Sequence, residues 1–136
     1  MPDRLSDWAT HHLFWINWMT KTKLAKYVKR LRYWQRQFNL MDYELPNVTS
    51  EEIPDDPNQS IISDIRWNHE NRWVRIRINE DFDDTDAELN RMAFHEMCEL
   101  RLGRLRDMAC AEYSYEKVDE QIHIVIRSLE NMVLNK

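Results

Sequence analysis

The stretch Ala93-Phe94-His95-Glu96-Met97-Cys98-Glu99-Leu100-Arg101-Leu102 constrains this chain more than any other, because it sets His95, Glu96 and Glu99 into a segment that otherwise reads as buried helix. On a helix of about 3.6 residues per turn, positions 95 and 99 lie one turn apart and point the same way, and position 96 points about 100° round. Such spacing suits two metal ligands and a neighbouring base. Zinc accepts imidazole nitrogen and carboxylate oxygen at ~2.0–2.2 Å, so an i, i+4 pair fills two of its positions without bending the backbone. Glu96 is then expected to take a proton from a water at the metal.

The surroundings explain why these polar groups need partners. Leu89, Met92, Ala93, Met97, Leu100 and Leu105 supply apolar surface on one flank of the helix, and Phe94, Cys98, Leu102 and Ala109 supply it on the other. Between the flanks runs a polar stripe of His95, Glu99 and Arg106. A carboxylate buried there without a partner is strongly unfavourable, so Glu99 is paired, metal-bound or at the wall of a cleft. The competing arrangement has Glu99 paired with Arg106 and His95 hydrogen-bonded inside the core. Thr85-Asp86-Ala87-Glu88 has the form of a capping box and sets the start of this helix. The acids Asp83, Asp84 and Asp86 suit the positive end of its dipole.

At His95, Glu96 and Glu99 the chain resembles the zincin metallopeptidases, whose signature is H-E-x-x-H, and especially the small zincin-like proteins often carried by phages and mobile elements. Position 99 departs from the signature: it is Glu, so the match is H-E-x-x-E. The resemblance covers roughly residues 21–136, a helix, a few strands including a hairpin, the motif helix and a last helix. It implies an α+β fold of minimal zincin type, with a small antiparallel sheet packed on the motif helix and two or three further helices. Gly103 and Arg106 do not fit the spacing of the extended metzincin motif, which excludes that subclass.

A third ligand then comes from elsewhere. Val118, Ile122, Val125, Ile126, Leu129, Met132 and Val133 give the last helix an apolar face. His123 lies at the margin of that face with Asp119 one turn before it, whereas Glu120 sits nearly opposite. His123 is the better-placed ligand, with Glu120 and Asp119 as the other candidates. In gluzincins the third ligand is a Glu from a downstream helix, so Glu99 and His123 look like the same set with the types exchanged. Asp119 is either the acceptor for the other ring nitrogen of His123 or a solvated helix charge. Cys98 points away from Glu99 and reads as a small core residue.

Elsewhere the chain reads as one domain of 136 residues, 43% hydrophobic, with a core that needs no staples. Cys98 and Cys110 match no zinc ribbon or redox pair, which points to reduced thiols. No signal peptide opens the chain and no apolar run reaches membrane-span length, so a cytoplasmic protein without membrane contact is expected. Trp8, His12, Trp15, Ile16 and Met19 recur at helical spacing and define an N-terminal amphipathic extension over 1–20, ahead of the metal-binding domain over 21–136. Leu24, Tyr27, Val28, Leu31, Trp34 and Phe38 form the face of a second helix. Pro46, Pro54 and Pro57 restrict any strand around Tyr43 to Ile53 to a short or edge position. Strands are predicted at Ile61 to Trp67 and Arg72 to Ile78, with Val74, Ile76 and Ile78 facing inward.

The function these features point to is metal-dependent peptide hydrolysis. Zn²⁺, or another divalent transition metal, is held by His95, Glu99 and His123, with Glu96 as general base and a peptide or protein as substrate. Two alternatives stay open. One is a non-catalytic binding or inhibitor protein on the same scaffold. The other is a protease tethered to DNA through the acid-free run Lys21 to Arg36, although a net charge of −5 disfavours general nucleic-acid binding.

Overall fold

A computed structural model describes residues 4–54, 63–80 and 85–135, with residues 4–20, 46 and 47 described by their backbone alone. Helix α1 spans Arg4–Gln37, and strands β1 (Glu44–Glu51), β2 (Ser63–Asn68) and β3 (Trp73–Asn79) follow. Helices α2 (Asp86–Cys110) and α3 (Tyr115–Leu134) complete an α+β fold. No helix among the described residues is long and apolar enough to cross a membrane.

The two N-terminal helical stretches of the sequence are one helix. Neither Pro nor Gly occurs between Arg4 and Gln37, so nothing breaks α1 where the extension meets the domain. The side chains of Trp8, His12, Trp15, Ile16 and Met19 lie outside the described residues. α1 stops at Asn39, whose φ of 56° is a left-handed conformation that Asn tolerates. The buried Gln35 amide secures the turn by donating to the carbonyls of Leu40 at 3.0 Å and Tyr43 at 2.8 Å.

The sheet has the order β1-β3-β2. β2 and β3 form the expected antiparallel hairpin, with Ile65 opposite Ile76 and Trp67 opposite Val74. The expectation of a wholly antiparallel sheet is corrected by β1, which pairs parallel to β3. Glu51 lies beside Asn79, and Ser63 beside Ile78, so the chain leaves β1 and enters β2 at one end of the sheet. The two edge strands therefore run oppositely, and β3, inserted between them and antiparallel to β2, runs with β1. Pro46 is accommodated because β1 is an edge strand and its register shifts between Glu44 and Asn47.

Strict alternation makes β3 the floor of the core. Val74, Ile76 and Ile78 are fully buried against Tyr27 and Leu31 of α1 and against Leu89, Met97 and Leu100 of α2. Each such side chain contributes roughly 1.5–3 kcal/mol on burial. On the other face, Arg77 joins Asp64 of β2 to Glu51 of β1, donating through Nε at 2.9 Å and Nη1 at 3.1 Å respectively. Lys23 is the one member of the basic run that turns inward, where its ammonium donates to the carbonyls of Asn79 and Glu80 at 3.2 and 2.8 Å.

α2 is the central element because its two apolar flanks meet different partners. One packs on the sheet and α1; the other, through Phe94 and Cys98, packs on Val118, Ile122 and Ile126 of α3. The Trp34 ring meets Phe94 edge-on at 4.8 Å and links α1 to this second cluster. Two flank assignments are corrected. Leu105 is 59% exposed and borders a groove between α2 and α3 with Leu102 and Ala109. Val125, Met132 and Val133 are also exposed, because among the described residues α3 packs chiefly on α2 and buries a narrower stripe than its sequence offers. Gly103 meets β2 closely: a Cβ there would lie 2.9 Å from Cε2 of Trp67.

Candidate metal centre

The two buried flanks fix how α2 is rotated, and the stripe between them therefore faces the seam with α3. The Thr85 side chain caps the helix, accepting from the Glu88 amide at 3.4 Å. The Glu88 carboxylate is taken up by Arg91, which donates to it at 2.9 and 3.2 Å. α3 starts at Ser114, whose hydroxyl accepts from the Lys117 amide, and Val118, Ile122 and Ile126 then set its rotation. That rotation carries His123 to the α2 stripe.

His95, Glu99 and His123 converge, with one ligand atom from each lying within 4.8 Å of the others. Nε2 of His123 is 3.2 Å from Oε1 of Glu99, and Nε2 of His95 is 3.8 Å from the same oxygen. Their other ring nitrogens are engaged: Nδ1 of His95 lies 3.0 Å from Oε1 of Glu130, and Nδ1 of His123 lies 2.8 Å from the backbone carbonyl of Asp119. A carbonyl only accepts, so Nδ1 of His123 is the donor, and in the neutral ring Nε2 is the nitrogen that carries the lone pair. A neutral His95 donating from Nδ1 to the Glu130 carboxylate would likewise turn its Nε2 lone pair toward Glu99.

Glu130 is the residue that reading the sequence missed. It lies two turns after His123 on the same face of α3, a spacing visible in the sequence once His123 is taken as a site residue. Asp119 acts on His123 chiefly through its main chain, its carboxylate standing farther off at 3.4 Å. That carboxylate instead accepts from Nη1 of Arg106 at 2.6 Å. Nη2 of Arg106 lies 3.4 Å from Glu99, so the competing Glu99–Arg106 pair is also present. Glu120 is exposed and lines a separate apolar groove with Leu102, Leu105 and Ala109.

Glu96 is buried on the sheet side of the stripe. Its Oε1 accepts from the Ser63 hydroxyl at 2.6 Å, and Oε2 has no hydrogen-bond partner among the described residues. Burial, then the charge of Glu99, pushes its pKa up to about 8, and the Ser63 hydrogen bond opposes the rise. The Tyr27 hydroxyl is raised as well, first by burial and then by Glu96. Burial also pushes the Cys98 thiol up to about 12, which agrees with a core residue rather than a thiolate ligand.

The cluster is reached from two sides. A cavity beside the imidazoles is lined by Arg91, His95, Asp119, His123, Arg127 and Glu130. A second groove runs along β2, past Ile65 and Trp67, to Glu99, Arg106 and Tyr115. Two imidazole nitrogens and a carboxylate oxygen, with ring tautomers set by their outer partners, form a donor set that suits Zn²⁺ or a related divalent transition metal. Glu99 and Glu130 add negative charge that a cation would compensate, so the residues fit such an ion. Comparison with known proteins gives no match: no family model, curated sequence or solved structure matches this chain.

Proposed function

We propose that this chain is a metal-dependent peptidase of zincin-like layout. The observation that carries this reading is the convergence of His95, Glu99 and His123 with both Nδ1 atoms engaged from outside. His95 and His123 would hold Zn²⁺ or a related ion through Nε2, and Glu99 through its carboxylate. When bound, the ion supplies Lewis-acid polarisation of a peptide carbonyl and lowers the pKa of water toward ~7. Glu96, whose pKa of about 8 in the metal-free protein a nearby cation would lower, would in its ionised form take the proton from the attacking water and return it to the departing amine. Ser63 holds one carboxyl oxygen of Glu96, and the other, buried and without a hydrogen-bond partner among the described residues, is the one that would take this proton. The outer edge of β2 is unpaired among the described strands and borders the groove that leads to Glu99, which supports pairing with an extended peptide.

A second reading is favoured by Arg106, whose contacts with Glu99 and Asp119 could hold α2 to α3 without chemistry. It is a non-catalytic binding protein on the same scaffold. Metal stoichiometry and cleavage of a mixed unstructured peptide pool separate the two. The peptidase reading expects about one equivalent of metal in the wild type and in Glu96→Gln, cleavage only in the wild type, and loss of metal in His123→Ala. Metal without cleavage in the wild type supports the scaffold reading. No metal, and no thermal stabilisation on adding Zn²⁺, Mn²⁺ or Co²⁺, removes the metal site altogether.

A further inference from the structure

One concentration of positive charge lies apart from the His95–Glu99–His123 cluster. Lys21, Lys26, Lys29, Arg30, Arg32 and Arg36 are exposed on α1, opposite the face that buries Tyr27 and Leu31. No acid interrupts that run over ~22 Å of helix axis, and among the described residues the one carboxylate in an ion pair with these groups is Asp86, 3.8 Å from Lys26. The face leads to a cavity. Asn39 and Leu40, just past the last turn of α1, line it together with Arg72, Arg101 and Arg104.

Three arginines from two parts of the chain line that cavity together with one carboxylate, that of Asp42. Arg72 pairs with Asp42 at 3.0 Å and lies over the Tyr43 ring, 5.1 Å from its centroid. Arg101 and Arg104 lie three residues apart on α2, are exposed, and have no ion pair among the described residues. In a chain of net charge −5, a concentration of cations with only Asp42 and Asp86 in ion pairs with them among the described residues suits an anion from outside. Their extent along a helix calls for a repeating one.

We propose that the exposed face of α1 and the arginine-lined cavity at its C-terminal end form one surface for the phosphodiester backbone of double-stranded nucleic acid. Phosphate contacts of this kind need cations at intervals rather than a shaped pocket for a base. A single strand would call for aromatic platforms, and Tyr33 is the one exposed ring on this face of α1 among the described side chains. The guanidiniums of Arg72, Arg101 and Arg104 suit bidentate contact with phosphate oxygens.

The test is fluorescence anisotropy of a labelled duplex of mixed sequence, titrated with the full chain at salt concentrations from about 50 to 200 mM. The expected result is binding at low salt that weakens steeply as salt rises. Arg101→Gln with Arg104→Gln, and separately Lys29→Gln with Arg36→Gln, should each reduce the log–log salt slope by about 1.8 and weaken binding at low salt by at least ~10-fold. All four positions are exposed, so the variants retain the core. Arg75→Gln, on the opposite face of the sheet, should bind as the wild type does. Absence of binding at low salt overturns the proposal, as does a slope unchanged in either double variant. Equal binding to phosphatidylserine vesicles, lost in the same variants, would make this a surface for anionic lipid and overturn it too.

Discussion

Glu130 of α3 reaches across the helix seam to place Oε1 3.0 Å from Nδ1 of His95 on α2, thirty-five positions earlier in the chain. This contact sets the tautomer of a candidate ligand from a residue that touches the cluster only through it. Glu130→Ala is expected to weaken metal binding by about 10–100-fold while leaving the stoichiometry at saturation unchanged. Competition against a chromogenic chelator measures it. Wild-type affinity in Glu130→Ala would mean that His95 is oriented by something else or is not a ligand.

Glu96 makes the stability of the metal-free protein depend on pH in a defined direction. Its folded pKa of about 8 lies above the ordinary value of 4.5, so the fold binds this proton more tightly than the unfolded chain does. The resulting stabilisation is fully present below the unfolded value and is lost as pH rises through the folded one, with the decline falling between about 4.5 and 8. The full span is of the order of 5 kcal/mol. Glu96→Gln cannot ionise, so its Tm should fall less than that of the wild type across this window. Parallel pH profiles of the two proteins would sink the assignment.

Arg106 compensates Glu99, as a metal bound at the cluster would, so the two effects should not add. Arg106→Met leaves Glu99 and Asp119 without their guanidinium, at an expected loss of roughly 2 kcal/mol, moderated by the partial exposure of Asp119. Saturating Zn²⁺ should make that loss smaller, because the ion then neutralises Glu99. Urea unfolding with and without Zn²⁺ reads the difference. An equal loss in both states would separate Glu99 from the metal.

Gly103 holds its place because of Trp67, whose ring occupies the space a methyl group would need. Gly103→Ala gains about 1 kcal/mol in helix propensity but is expected to lose roughly 1–3 kcal/mol in strain, giving a net destabilisation. Shortening the ring in Trp67→Phe should remove the strain, so the double variant should lose less than the two single losses added together. A Gly103→Ala protein more stable than the wild type would show that β2 moves aside freely.

The sequence by itself determined which residues share a face. The i, i+4 pairing of His95 with Glu99, the two apolar flanks of α2, the inward set Val74, Ile76 and Ile78, and the place of His123 at the margin of α3 all follow from the periods of helix and strand. Each is a property of one continuous element, so local backbone geometry decides it. Which face of one element meets which face of another was decided only by tertiary structure. The parallel pairing of β1 with β3 depends on β3 entering the sheet between strands that are separated in the chain. Ser63 on Glu96, Trp67 on Gly103 and Glu130 on His95 are contacts between elements, and no periodicity encodes them. The rotation of α3 was settled by Val118, Ile122 and Ile126 packing on Phe94 and Cys98, which exposes Val125, Met132 and Val133 and turns His123 and Glu130 toward the α2 stripe. A helix can bury only the part of its apolar face that a neighbour covers, and the covering residues lie elsewhere in the chain.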